Sequence, residues 1–161
     1  MKRKLLFLGA VMIAALTFTV AAFAASPHFI NASATGPNDN GTLTVNFKIA
    51  GLGDTVTTTV TAAADGTATY GCLNAGGNFP NAANKQQVSG PVSASGEFTA
   101  GKNGQITGSL TLSPPTSTLV CPGGQTRVLC AVSYTNVSVT ESAAGTEVIL
   151  GTFSRVYFPA C

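Results

Sequence analysis

His28 is the only histidine among 161 residues, so any Ser-His-Asp or Cys-His arrangement must use it. It is the fourth residue after the expected leader, where chain ends are mobile and hold a base poorly. Copper capture by a free amine and a histidine in third place fails on the same stretch. It requires cleavage after Ala25, and Pro27 lacks the amide hydrogen such a chelate removes. Of the six acids, Asp39, Asp54 and Asp65 lie in Gly-containing turns, where a carboxylate ordinarily bonds local backbone. Glycoside hydrolysis needs two acids flanking one cleft. The run Asn38-Asp39-Asn40-Gly41 lacks the alternating ligands and distal Glu of a calcium loop. The expectation is therefore no catalytic residue, no metal and no cofactor; His28, Asp39 and Glu97 are the residues whose substitution would reveal a hydrolase.

Cys72, Cys121, Cys130 and Cys161 carry the other available chemistry. A zinc site is disfavoured, because no C-x-x-C pair exists and the histidine is far upstream. In an exported chain four cysteines imply two disulfides with three possible connectivities. Pairing Cys72 with Cys121 and Cys130 with Cys161 ties distant segments and fastens the last strand. The rival clips Cys121 to Cys130 around Pro122-Gly123-Gly124-Gln125 and leaves Cys72 for Cys161.

The segment from Leu73 to Ser89 reads as a long irregular connection rich in amides, and it is the expected ligand loop, with Asn74, Asn78, Asn81, Asn84 and Lys85 as its candidate contacts. Neutral amides suit hydrogen bonding to a glycan or a protein surface. Stacking on sugar rings has less support: Trp is absent, and Tyr70 and Tyr134 share the phase of core residues, leaving Tyr157. Asn31, Asn40 and Asn136 begin glycosylation triplets, which matter only in a host with that machinery.

These residues need a scaffold, and period-two alternation supplies it. In Thr42 to Ile49 the residues Leu43, Val45, Phe47 and Ile49 share one face. Strands are expected at Thr55 to Ala62 and, after an Asp65-Gly66 turn, at Thr67 to Cys72. Pro91 to Ala100 and Gln105 to Ser113 flank Asn103-Gly104 and read as a hairpin. Arg127 to Glu141 reads as two adjoining strands with a bulge near Thr135-Asn136. Glu147 to Phe158 supplies one or two more, interrupted near Gly151. Twenty threonines follow the leader against three lysines and three glutamates, a strand-forming composition. About eight short strands without crossover helices predict an all-β, antiparallel β-sandwich of immunoglobulin-like architecture, with a β-barrel as the alternative.

Lys2-Arg3-Lys4, the apolar run from Leu5 to Leu16 and Ala22-Phe23-Ala24 predict a secretory signal peptide over 1–24, followed by a single all-β domain over 25–161. An uncleaved anchor is the rival, since Leu5 to Ala25 is long enough to span a bilayer. Without the leader five basic residues face six acidic ones, and Lys48, Lys85, Lys102, Arg127 and Arg155 stand apart as solvated surface charges. That disfavours nucleic acid and, after cleavage, an anionic membrane.

Pro27-His28-Phe29, Phe47-Lys48-Ile49-Ala50-Gly51-Leu52-Gly53, Cys72-Leu73-Asn74-Ala75-Gly76-Gly77, Asn103-Gly104 and Cys121-Pro122-Gly123-Gly124-Gln125 resemble stretches of small exported bacterial proteins of uncharacterised function. The resemblance implies a bacterial exterior and no activity. The sequence thus predicts a secreted binding or structural module that meets an extracellular protein or glycan through its loops, with a secreted hydrolase or an enzyme inhibitor as the alternative.

Overall fold

The computed structural model describes residues 26–80 and 84–161. The expected signal peptide lies outside them. Seven strands form among the described residues: β1 (His28–Thr35), β2 (Leu43–Ala50), β3 (Thr57–Asn74), β4 (Lys85–Thr99), β5 (Ile106–Leu112), β6 (Gln125–Glu141) and β7 (Thr146–Val156). They make two antiparallel sheets, ordered β1-β2-β5 and β4-β3-β6-β7, that do not close into a barrel. The β-sandwich architecture therefore holds and the barrel does not.

Alternation explains why the sheets pack. Leu43, Val45, Phe47 and Ile49 of β2 are buried, as are Ile106, Leu110 and Leu112 of β5. From the other sheet come Val60, Ala62, Ala64 and Ala68 of β3 and Val132, Tyr134, Val137 and Val139 of β6. Together they form one cluster, in which the small Ala62, Ala64 and Ala68 of β3 sit among the larger side chains of β2, β5 and β6. The outer face of the larger sheet carries cross-strand hydroxyl pairs, Thr57 with Thr99 and Thr61 with Ser95, each at 2.8 Å.

Several local expectations are overturned. Asp65-Gly66 makes no turn, because both residues pair on either side, Asp65 with Pro91 of β4 and Thr135 of β6, and Gly66 with Gly90 and Tyr134. The glycine serves a close approach: a Cβ there would lie 3.0 Å from the Pro115 ring. The Asn103-Gly104 turn closes, with the Gly104 amide donating to the Gly101 carbonyl at 2.8 Å, yet β4 and β5 enter different sheets. The connection between β2 and β3 claims their flanks, Ala100 donating to the Val56 carbonyl at 2.8 Å and Leu52 to that of Gly104 at 3.2 Å. Strands joined by this turn consequently face each other across the core, where Phe47 and Phe98 meet edge to face with centroids 5.0 Å apart.

Arg127 to Glu141 lies within one continuous strand, with register shifts around Asn136, whose φ of 53° marks the expected bulge. β7 is likewise one strand passing through Gly151. β4 begins at Lys85, so the irregular segment is shorter than Leu73 to Ser89. His28 opens β1 opposite Ala50 rather than lying in a loose chain end.

Candidate functional site

The antiparallel order sends the connections to two ends, and they differ. At one end lie the turns 51–56, 100–105 and 142–145. The last of these is tied by Glu141, fully buried, whose carboxylate accepts from the amides of Ala143 at 2.6 Å and Ala144 at 3.0 Å and from the Thr58 hydroxyl. The other end gathers 36–42, 75–80 and 113–124, the tail after β7, and both disulfides.

Cys72 is bridged to Cys121 and Cys130 to Cys161. The first ties β3 to segment 113–124; the second ties β6 to the chain beyond β7. A Cβ at Gly71 would lie 2.6 Å from Cys161 Sγ and 3.0 Å from Phe79, so this glycine makes room for the second bridge. Phe79 meets Phe158 with centroids 5.6 Å apart beside it. Phe79 thereby packs its part of the connection down beside the bridge.

The amides expected to bind a ligand close this loop upon itself. Asn74 Oδ1 accepts from the amides of Gly76 at 3.0 Å and Asn78 at 2.9 Å, and Asn78 Nδ2 donates to the Gly76 carbonyl at 3.1 Å. Asn84 donates to Gln125 at 3.4 Å, and Lys85 Nζ to the Cys161 carbonyl. Asn81 lies outside the described residues.

Every tyrosine of the chain also serves this end. Tyr134 donates to the Gly41 carbonyl at 2.7 Å, Tyr157 to that of Asn38, and Tyr70 to that of Pro115 at 2.8 Å. Burial pushes all three phenols above their ordinary 10.0, Tyr134 most; Arg127 opposes the shift at Tyr70, and Arg155 opposes it at Tyr157. Arg155 is not a free surface charge. Its guanidinium sits 5.0 Å from the centre of the Tyr157 ring, donates to the Pro37 carbonyl at 3.1 Å and pairs with Asp39 at 2.7 Å. Beside it opens a cleft of about 500 Å³ with Val128, Leu129, Val156 and Phe158 among its walls. Arg127 similarly holds the Ser117 and Leu119 carbonyls.

The residues weighed for chemistry are distributed differently. His28 lies at the far end with Nδ1 2.9 Å from the Ser26 carbonyl, Asp39 is at the loop end on Arg155, and Glu97 lies exposed on β4. Asn38 Oδ1 accepts from the amides of Asn40 at 2.9 Å and Thr42 at 3.0 Å, so this loop is ordered by its own side chain. Among the described residues no three His, Cys, Asp or Glu side chains gather as a metal site. Sequence reasoning read Arg155 and Arg127 as solvated surface charges and Tyr157 only as a stacking candidate, and so missed that they hold the loops. Their only signal is position, at the ends of β6 and β7 facing the longer loops. No protein family, curated protein or solved structure matches the chain.

Proposed function

We propose that the chain is exported and acts outside the cell as a binding module, through the loops gathered at the disulfide-bearing end. The observation that carries this reading is the contrast between the two ends. Strands need only short connections, yet one end holds the longer loops, both bridges, all three tyrosine locks and the cleft beside Arg155. Loops that are long and also rigidly held lose little conformational freedom on binding. Two disulfides are compatible with an extracellular location, and the basic, apolar and small-residue pattern of the leader supports export. The partner is an extracellular protein or glycan that meets a cleft of mixed polarity, with aliphatic walls beside Arg155, Asp39 and Tyr157. The separation of His28, Asp39 and Glu97 favours binding over hydrolysis.

The test compares surface changes at the two ends. Val156→Lys and Thr118→Lys alter exposed positions at the loop end; Asp54→Lys and Lys102→Glu alter exposed positions at the other. Partner recovered from the extracellular medium by the immobilised mature chain should fall about tenfold or more with the first pair and stay unchanged with the second. The opposite pattern, or equal loss from both pairs, overturns the reading.

A further inference from the structure

Segment 113–124 joins the two sheets and belongs to neither. Its side chains alternate, with Ser117, Leu119 and Cys121 partly buried and Thr116, Thr118 and Val120 exposed, the period of an extended chain. The inward groups are held by the scaffold. Arg127 donates to the carbonyls of Ser117 at 2.8 Å and Leu119 at 3.2 Å. The Ser117 hydroxyl accepts from the Leu119 amide at 3.0 Å and donates to Gln86 at 2.5 Å. Tyr70 holds Pro115, and Cys121 is bridged to Cys72.

On the outward side the Thr118 hydroxyl accepts from Gln86 Nε2 at 3.3 Å, while the backbone is left free. Among the described residues neither the amide nor the carbonyl of Thr118 or Val120 makes a backbone hydrogen bond. Val120 is 87% exposed, ahead of Ile149 at 73% and Val156 at 61%. A single exposed aliphatic residue is ordinary. One at the end of an extended, braced segment, with alternate backbone groups unpaired, has the form in which a protease takes its substrate: a strand added to the edge of the cleft, with one side chain in the primary pocket.

The same braces separate an inhibitor from a substrate. The segment is already extended, so docking costs little ordering. Hydrolysis of the Val120–Cys121 bond breaks one C–N bond and consumes one water, giving a carboxylate on Val120 and an amine on Cys121. Neither new end can leave. Arg127 grips the chain just before the cut, the Cys72 bridge grips it just after, and β3 pairs with β6 beneath. Held products resist release and favour resealing of the bond, which returns the water.

We propose that residues 116–122 form an inhibitory loop against serine proteases whose primary pocket accepts small aliphatic side chains, with Val120 occupying that pocket. The proposal rests on the loop-end reading above and names one partner class for it. Its test uses purified proteases, so its failure is distinct from a failure of capture to map to the loop end.

The full mature chain is titrated against pancreatic elastase and against trypsin. Elastase should be inhibited and trypsin not, since no Lys or Arg lies between Ser113 and Thr126. Long incubation should yield a species heavier by one water whose two pieces separate only on reduction. Val120→Lys, at a position too exposed to affect folding, should transfer inhibition from elastase to trypsin, and Val120→Asp should weaken elastase inhibition about 30-fold or more. Arg127 is a positioning residue: Arg127→Ala should retain the thermal midpoint while cleavage at Val120 accelerates about tenfold or more. Full elastase activity in the presence of the chain, cleavage as fast as that of a linear peptide of residues 114–124, or a Val120→Lys variant without effect on trypsin would each overturn the proposal.

Discussion

Each tyrosine spends its phenolic hydrogen on a carbonyl in a loop of the same end, and that bond exists only while the phenol is protonated. Tyr134 is the clearest case, with no exposed surface and a donor distance of 2.7 Å to Gly41. Tyr134→Phe keeps the ring and its packing but leaves that carbonyl without its donor, so stability should fall by about 1–2 kcal/mol. A lower urea midpoint at unchanged slope is the expected readout. The pH dependence follows from the direction of the shift. Burial raises the folded-state pKa above the 10.0 of the exposed phenol, so the unfolded chain releases its proton first. The contribution is fully present below pH about 10 and is lost as pH rises beyond it. Tyr134→Phe should therefore soften the alkaline decline measured by urea titration at successive pH values. An undiminished decline would place its origin elsewhere.

Among the elements, β5 depends on one glycine. A Cβ at Gly108 would lie 2.6 Å from the ring of Phe98 and 2.8 Å from that of Phe47, and those rings are the edge-to-face pair between the sheets. Gly108→Ala should cost about 1–3 kcal/mol by overpacking. The measurement that checks this is a double-mutant cycle: Phe98→Leu in the same chain should recover part of the loss, whereas additive losses would show the two sites to be independent. This contact also explains what the sequence could and could not reveal. β2 was legible because Leu43, Val45, Phe47 and Ile49 alternate without a break. β1 was not, because a register shift between Phe29 and Asn31 throws Ile30 outward and interrupts the alternation. Asn103-Gly104 specifies a tight turn but not the partners of its flanks, which here are taken by Val56 and Leu52. The candidate site follows the same logic. The polar loop around Asn74 and Asn78 could be read locally, whereas Arg155 reaching Asp39 and Tyr134 reaching Gly41 join residues far apart in the chain, and no local pattern encodes such pairs.

At the scale of the whole molecule the covalent bracing is lopsided. Both bridges lie at the loop end, closing loops with sequence separations of 49 and 31, and each closure restrains the unfolded chain by on the order of 4 kcal/mol. The opposite end has no bridge among the described residues and is held by the buried Glu141 cap, the flanks of the Asn103-Gly104 turn and the burial of Leu52 and Ala100 in the core. The sheets themselves run the full length between the two ends, so reducing the bridges should release the loops before it releases the sandwich. Hydrogen exchange in the presence of a reductant measures this directly. The amides of Leu119 and Cys161, bonded only within the braced segments, should lose protection first. Those of Ala143 and Ala144 on Glu141 should keep theirs until the whole domain unfolds. Uniform loss at both ends would mean that the disulfides hold the sandwich as a unit. Selective loss at one end would mean that they are there to hold its loops in shape, which is what a surface that binds through loops requires.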